Sequence, residues 1–102
     1  RRLASATNVA GGVQLNAGAK KAVCEIGSSL LPAGITAVGG EFEAGDAVSI
    51  LDESGAELAR GLANYSAKEL RKIAGCRSEE IAKKIGYKNY DEAVHRDNIV
   101  LL

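Results

Sequence analysis

The chain has 102 residues, of which 46% are hydrophobic, 25% charged and 4% aromatic, and this is material for one core and one domain. Twelve glycines, one proline and the lack of a long apolar run exclude a collagen-like chain, a disordered chain and a membrane span. Lysine and arginine together number 13, as do aspartate and glutamate, whereas nucleic-acid-binding domains are usually strongly basic. A small soluble globular domain is expected.

The sequence contains no methionine, position 1 included, and we therefore expect a piece cut from a longer chain. Residues 1–10 lack an apolar stretch of signal-peptide length and are predicted to be an interdomain linker, with the domain at residues 11–102. Cys24 and Cys76 form neither a disulfide framework nor a Cys-x-x-Cys pair. A reduced, cytoplasmic protein without a membrane partner is the expectation.

In chain order, the first predicted elements are a short strand at 13–15 and a helix. Asn16 is a suitable N-cap for this helix, and Gly27 is suited to end it in a left-handed conformation. The apolar residues between them recur at helical spacing and are predicted to be buried: Ala19, Ala22, Val23 and Ile26.

The middle of the chain alternates with a period of two, which predicts strands at 35–40, 47–51 and 57–62. Residues 43–46 and 52–55 have the composition of tight turns. Two pairs of carboxylates lie at these turns, Glu41 with Glu43 and Asp52 with Glu53. We expect water to leave their pKa values unperturbed, as edge charges that keep the sheet soluble.

Two further helices follow. Ser66 and Glu69 are spaced as a capping box, with Leu70, Ile73 and Ala74 as the buried stripe and Gly75 as the stop. The last helix is predicted from Ser78, as its cap, to Gly86. Its buried residues are predicted to be Ile81, Ala82 and Ile85.

The chain closes with a polar turn at 95–98, in which Asp97 or Asn98 bonds local backbone N–H groups, and a strand at 99–102. The order of the elements favours a mixed, mainly β fold. We predict about six short strands in a pseudo-barrel with two to three peripheral helices.

The charges are segregated along the sequence. Residues 41–57 carry six acidic side chains and no lysine or arginine, and residues 66–88 carry seven basic and three acidic side chains. The two segments are interpreted as solvated faces of a hairpin and of helices.

A search for catalytic motifs returns no phosphate loop and no dinucleotide fingerprint. A single histidine cannot build a multi-histidine metal site, and neither cysteine has a second ligand at zinc spacing. Cys24 with His95 is a conceivable thiolate pair that nothing nearby activates. The tripeptide at 95–97 matches the start of a protein-kinase catalytic loop, but that loop needs an asparagine where Leu102 stands. A binding or structural module is indicated.

Several glycine-containing motifs resemble the PUA domain, named for pseudouridine synthases and archaeosine transglycosylases. They lie at 27–35, 38–42, 45–46 and 59–66. The motifs at 59–66, 73–75 and 78–87 and the ending at 95–102 are similar to the C-terminal PUA domain of the glutamate 5-kinase family. Two positions depart from that family: Ser28 stands where it commonly has lysine, and Asn16 where it commonly has aspartate.

The resemblance implies a parent enzyme that transfers the γ-phosphoryl group of ATP, with magnesium, to the side-chain carboxylate of glutamate on the way to proline. Its catalytic, nucleotide and metal-binding residues would lie in an N-terminal amino-acid-kinase domain, so this segment is expected to hold no catalytic residue and no cofactor. The parent is expected to be a homo-oligomer.

Three hypotheses follow for the segment itself. It is an accessory domain that tunes assembly or the response to proline, an RNA-binding domain such as those of RNA-modifying enzymes, or a folding cap that has lost its partner. The RNA-binding hypothesis places the site on the exposed face of the first helix, the loop that follows it and the final turn. Its residues are Lys20, Lys21, Gly27, Ser28, Ser29, Gly34 and Arg96.

Overall fold

The computed structural model describes residues 9–102, which form one mixed sheet with helices on its periphery. The strands are β1 Gly11–Leu15, β2 Ile35–Gly40, β3 Ala47–Leu51, β4 Glu57–Leu62 and β5 Ile99–Leu101. The α-helices are α1 Ala17–Lys21, α2 Ala67–Ile73 and α3 Ile81–Ile85, and a π-helical segment, Ala22–Ile26, follows α1 directly. Short 3₁₀ turns lie at Pro32–Gly34, Ser78–Glu80 and Arg96–Asn98.

The strand order in the sheet is β2-β1-β3-β4-β5. β1 is parallel to β3, and every other neighbouring pair is antiparallel. The predicted mixed, mainly β architecture with peripheral helices is confirmed. The strand count was predicted at about six, and the described residues form one hydrogen-bonded sheet of five.

The bounds of β2, β3 and β4 are those predicted from the alternation. β1 begins earlier than predicted, at Gly11, because two glycines pair in the ladder where a side chain would not fit: a Cβ on Gly11 would collide with the carbonyl oxygen of Gly39. Residues 1–8 of the predicted linker lie outside the described residues. Ala10 already donates its N–H to the carbonyl of Ala47, at 3.0 Å.

The first helix has the predicted ends but a different interior. Asn16 Oδ1 accepts the N–H of Ala19 at 2.8 Å, and Gly27 ends the helix with a φ of 79°. Between them, the π-helical segment adds one residue to a turn, since π turns bond i to i+5. Ile26 is therefore rotated away from the face that buries Val23. The prediction that Ile26 is buried was wrong: the side chain is exposed.

The capping box of α2 is confirmed. Ser66 Oγ accepts the N–H of Glu69 at 3.2 Å, and Glu69 Oε1 accepts the N–H of Ser66 at 2.8 Å. Ser78 is not the cap that was predicted for the last helix, because its hydroxyl donates to the carbonyl of Asp91, at 3.0 Å. A 3₁₀ turn precedes α3, and Ala82 faces solvent, contrary to its predicted burial, while Ile81 is fully buried.

One hydrophobic core joins the sheet to α2 and α3. Phe42 lies in it, and so does Tyr65, the largest of its fully buried side chains. The Tyr65 hydroxyl accepts the N–H groups of Asn89 and Tyr90, at 3.1 and 2.8 Å, and donates to the carbonyl of Tyr90 at 2.6 Å. The core thereby holds the polar segment after α3. None of the helices formed by residues 9–102 has the length and apolar character that crossing a bilayer requires.

Candidate functional site

The glycine-rich loop after the first helix folds back against that helix and forms an open groove of about 380 Å³. Three of the predicted site residues, Ser28, Ser29 and Gly34, line this groove. The N–H of Asn16 donates to the carbonyl of Gly34 at 3.0 Å, which ties the far end of the loop to the start of the helix. Gly34 lies against Ala19 so closely that a Cβ at Gly34 would collide with the Ala19 Cβ. Only glycine therefore fits here without moving the loop.

The final turn meets the same loop from the other side. Ser29 Oγ accepts the N–H of Arg96 at 2.8 Å, across 67 positions of sequence. A smaller cavity of about 110 Å³ lies at this junction, between Gly27, Ser28 and Arg96 and the strand β5. The structure thus brings together five of the seven predicted residues: Gly27, Ser28, Ser29, Gly34 and Arg96.

The two lysines of the predicted site are placed differently. Lys20 points to the turn between β3 and β4, where its Nζ lies 3.5 Å from Asp52 Oδ2. This pairing directs the ammonium group to a carboxylate of the same chain. Lys21 is exposed on the last turn of α1.

The hydrogen bonds at Asp52 correct another expectation. The Ser54 hydroxyl donates to Asp52 Oδ1 at 2.6 Å, and the N–H groups of Ala56 and Ser54 donate to the same oxygen at 3.0 and 2.9 Å. These bonds and the charge of Lys20 lower the pKa of Asp52 from 3.8 to about 2. The pKa was expected to be unperturbed. A carboxylate with such a low pKa stays ionised at neutral pH and does not serve as a general acid.

A second acidic side chain on the sheet is also paired. Glu57 accepts from Arg60 Nε at 2.7 Å and from the Ser49 hydroxyl at 2.6 Å. These bonds lower the pKa of Glu57, and the same contact raises the pKa of Arg60. With Glu41 paired to Arg71 at 3.3 Å, three of the acidic residues in the segment 41–57 have cationic partners. Asp52 and Glu41 pair with helices, and Glu57 pairs within its own strand.

The final turn is held by histidine and not by the residues that were predicted. His95 Nδ1 accepts the N–H of Asp97 at 3.1 Å and so caps the 3₁₀ turn. The prediction gave this role to Asp97 or Asn98. A neutral imidazole accepts a hydrogen bond through one ring nitrogen, as a carboxylate does through its oxygens. Because His95 directly precedes the turn, this nitrogen lies within reach of the N–H of Asp97, two residues further on. Cys24 and Cys76 are both free thiols.

Within residues 9–102, no three histidine, cysteine, aspartate or glutamate side chains come together as metal ligands. The larger groove is lined by small and apolar residues, the hydroxyls of Ser28 and Ser29 and the amide of Asn16, and none of its lining residues has an ionisable side chain. What the sequence reasoning missed is the apolar character of this face: Leu101 lines the smaller cavity, Ile26 directly precedes Gly27 in its wall, and both apolar side chains are exposed.

A family model described as the PUA domain matches residues 11–85. The chain belongs to the PUA domain family. Two solved structures share the fold of this PUA domain. A PUA domain protein from Aeropyrum pernix K1 in complex with tartrate has a TM-score of 0.62 and 23% identity, over 84% of this chain and 41% of that one. The archaeal box H/ACA sRNP Nop10-Cbf5 complex has a TM-score of 0.58 and 18% identity, over 90% and 23%.

The PUA domain is also similar to part of longer curated proteins. A glutamate 5-kinase of Synechococcus sp. (strain JA-2-3B'a(2-13)) is 61% identical over 92 residues, which cover 90% of this chain and 25% of the relative. A glutamate 5-kinase of Moorella thermoacetica is 51% identical over 102 residues, which cover 100% of this chain and 27% of the relative. The chain thus spans about a quarter of the length of these relatives.

Proposed function

We propose that these residues are the accessory PUA domain of a glutamate 5-kinase. The longer chain would transfer the γ-phosphoryl group of ATP to the glutamate side chain through an N-terminal amino-acid-kinase domain, and it would act in the cytoplasm as a homo-oligomer. The PUA domain would tune assembly or the response to proline.

One observation carries the proposal. The similarity to the Moorella thermoacetica enzyme extends over all 102 residues, including 86–102, which lie beyond the part matched by the PUA family model. That segment holds the Tyr65-anchored loop, the histidine-capped turn and β5. Similarity to PUA domains in general would not require it.

ATP and magnesium would be held outside this domain. The described residues offer no cluster of oxygen or nitrogen ligands for a metal ion, and the sequence has no phosphate loop. The domain's own contribution is therefore binding and positioning, through the face made by the first helix, the loop at 27–34 and β5.

The test compares the full-length chain with a version that ends before residue 11. We expect both to form ADP in the presence of glutamate and ATP, and the shortened chain to differ in oligomeric state, measured by light scattering, or in the proline concentration that halves the rate. No difference in either measurement would overturn the accessory role. If the full-length chain forms no ADP in response to glutamate, the assignment to a glutamate 5-kinase is overturned.

RNA binding is the second candidate, and the convergence of five predicted residues around the two grooves favours it. Arg96 is an exposed cation that lines the smaller cavity, and Lys21 is exposed on the last turn of α1. An RNA interface that uses them would lose affinity steeply between about 50 and 200 mM salt.

The RNA test is a titration of the full-length chain with a structured RNA at both salt concentrations. Lys21→Ala with Arg96→Ala is expected to weaken binding, whereas Lys83→Ala with Lys84→Ala, which removes the same charge from the distant helix α3, is expected to leave it unchanged. Absence of binding at the lower salt, or equal losses in both double variants, would count against RNA.

A further inference from the structure

Three large apolar side chains are exposed beside the two grooves of the candidate site. Ile26 is 70% exposed, Leu31 46% and Leu101 50%. Single exposed apolar residues are common on soluble proteins, whereas contiguous apolar surface marks an interaction site. The question is therefore whether these three belong to one surface.

The grooves connect them. Val23 and Ser28 line both cavities; the larger cavity extends to Leu31 and the smaller one to Leu101. Gly27, which lines the smaller cavity, directly follows Ile26. Leu31 and Leu101 therefore line connected grooves, and the exposed Ile26 directly precedes a residue of the groove wall. We call the two grooves together with these three side chains the apolar face.

The exposure of Ile26 results from the backbone. An α-helix continued from α1 would place residue 26 on the side of Ala19 and Val23, because positions 19, 23 and 26 share a helical face. The π-helical segment Ala22–Ile26 turns that side chain outward instead. Such π turns are rare and are frequently found at functional sites.

The register of the sheet shows how far the start of β1 lies from this face. Gly11 pairs with Val48, Val48 with Gly61, and Gly61 with Ile99. The start of β1 therefore lies at the same level in the sheet as the start of β5. Three strand spacings, which is about 14 Å, separate these two points. Ile99 itself lines the smaller cavity.

We propose that the apolar face is the docking surface for the part of the longer chain that precedes residue 10, within the same molecule. The inference rests on the proposed function, which supplies that longer chain; the relatives are about four times the length of this segment. A tethered partner that begins about 14 Å away reaches the face at a high effective concentration. The larger groove has no charged lining residue, as is usual for the centre of a protein–protein interface, and contacts to phosphate would be confined to its rim.

The test uses the full-length chain with a photo-crosslinking residue on the apolar face, Ile26→p-benzoylphenylalanine. The matched control is Val100→p-benzoylphenylalanine: Val100 is 43% exposed, but successive strand residues point to opposite sides, so it faces away from Leu101. After irradiation, mass spectrometry identifies the cross-linked peptides. We expect residue 26 to link to a peptide preceding residue 10 with no change of mass on a denaturing gel, and residue 100 to stay near background.

Other outcomes overturn the proposal. A covalent dimer would mean that a second copy covers the face, co-purifying RNA linked to residue 26 would mean that RNA does, and equal yields at both positions would mean that the face is not covered. Glutamate-dependent ADP formation is measured on the same samples. If activity is present and the cross-link absent, the docking inference fails alone; if activity is absent, the proposed function fails.

Discussion

Asp52 organises the turn between β3 and β4 through a single carboxylate oxygen that accepts three hydrogen bonds. Its other oxygen faces Lys20, on α1. One ionised side chain therefore fixes a hairpin and joins it to the first helix. Because both roles require the charged form, they depend on pH.

Stability should respond to the protonation of Asp52 in acid. The pKa in the folded state is lowered from 3.8 to about 2, so the stabilisation is complete above pH 4 and is lost as the pH falls through 2. We expect Asp52→Asn to melt at a lower temperature than the natural chain at pH 5, and the gap to close near pH 2. Glu53→Gln, at the exposed neighbour in the same turn, is the control. A gap that stays constant from pH 5 to pH 2 would contradict this account.

At the scale of elements, the first helix and the loop at 27–34 pack as a unit through Gly34 and Ala19. A Cβ at Gly34 would collide with Ala19 and force the two apart. The loop also carries Ser29, which holds Arg96. If the contact between Gly34 and Ala19 moved, the final turn and the larger groove would therefore move with it.

Gly34→Ala is expected to lower the free energy of unfolding by about 1–3 kcal/mol, the usual cost of overpacking. Gly39→Ala is the matched control, since its Cβ would meet nothing within 4 Å. Adding Ala19→Gly to Gly34→Ala should recover part of the loss, because it removes the atom that the new methyl group meets. Urea denaturation measures all four chains, and equal effects at positions 34 and 39 would refute the steric explanation.

Elements fixed by local interactions could be predicted from the sequence. The capping box of Ser66 and Glu69 and the glycine stop at 27 depend on residues within one turn. The bounds of three strands followed from alternation. The π-helical segment could not be predicted, because 19, 22, 23 and 26 fit an α-helix equally well and tertiary packing decides between the two.

The candidate site was predictable only where its residues are neighbours in sequence. The loop residues Gly27 to Gly34 are neighbours in sequence, and their grouping was expected. The bond between Ser29 and Arg96 spans 67 positions, and the pairing of Lys20 with Asp52 crosses from helix to hairpin. Sequence patterns do not reveal contacts between residues that are distant in sequence. The prediction therefore included Lys20 in the site and omitted Leu101.

At the scale of the whole molecule, one core unites the sheet with α2 and α3. Ile81 of α3 is fully buried in this cluster, although it lies far in sequence from the first three strands. The sheet and the C-terminal helices should therefore unfold together and not as separate units.

Ile81→Ala is expected to cost about 2–5 kcal/mol, a large share of the roughly 5–15 kcal/mol that stabilises a typical domain. The transition in urea should remain single by both far-UV circular dichroism and tyrosine fluorescence. Ile26→Ala, at an exposed isoleucine, should change the stability of the 102-residue domain by less than about 0.5 kcal/mol. Two separate transitions in the Ile81 variant would show that the helices are an independent unit.

The position of β1 in the sheet has a consequence for how the protein is made. Among the described strands, β1 is synthesised first, yet both of its neighbours, β2 and β3, come later in the chain. At about 5–20 residues per second, the ribosome needs seconds to deliver residue 51, and until then β1 has only one or neither of its partners. β1 therefore pairs on both sides only after half of this domain has been synthesised.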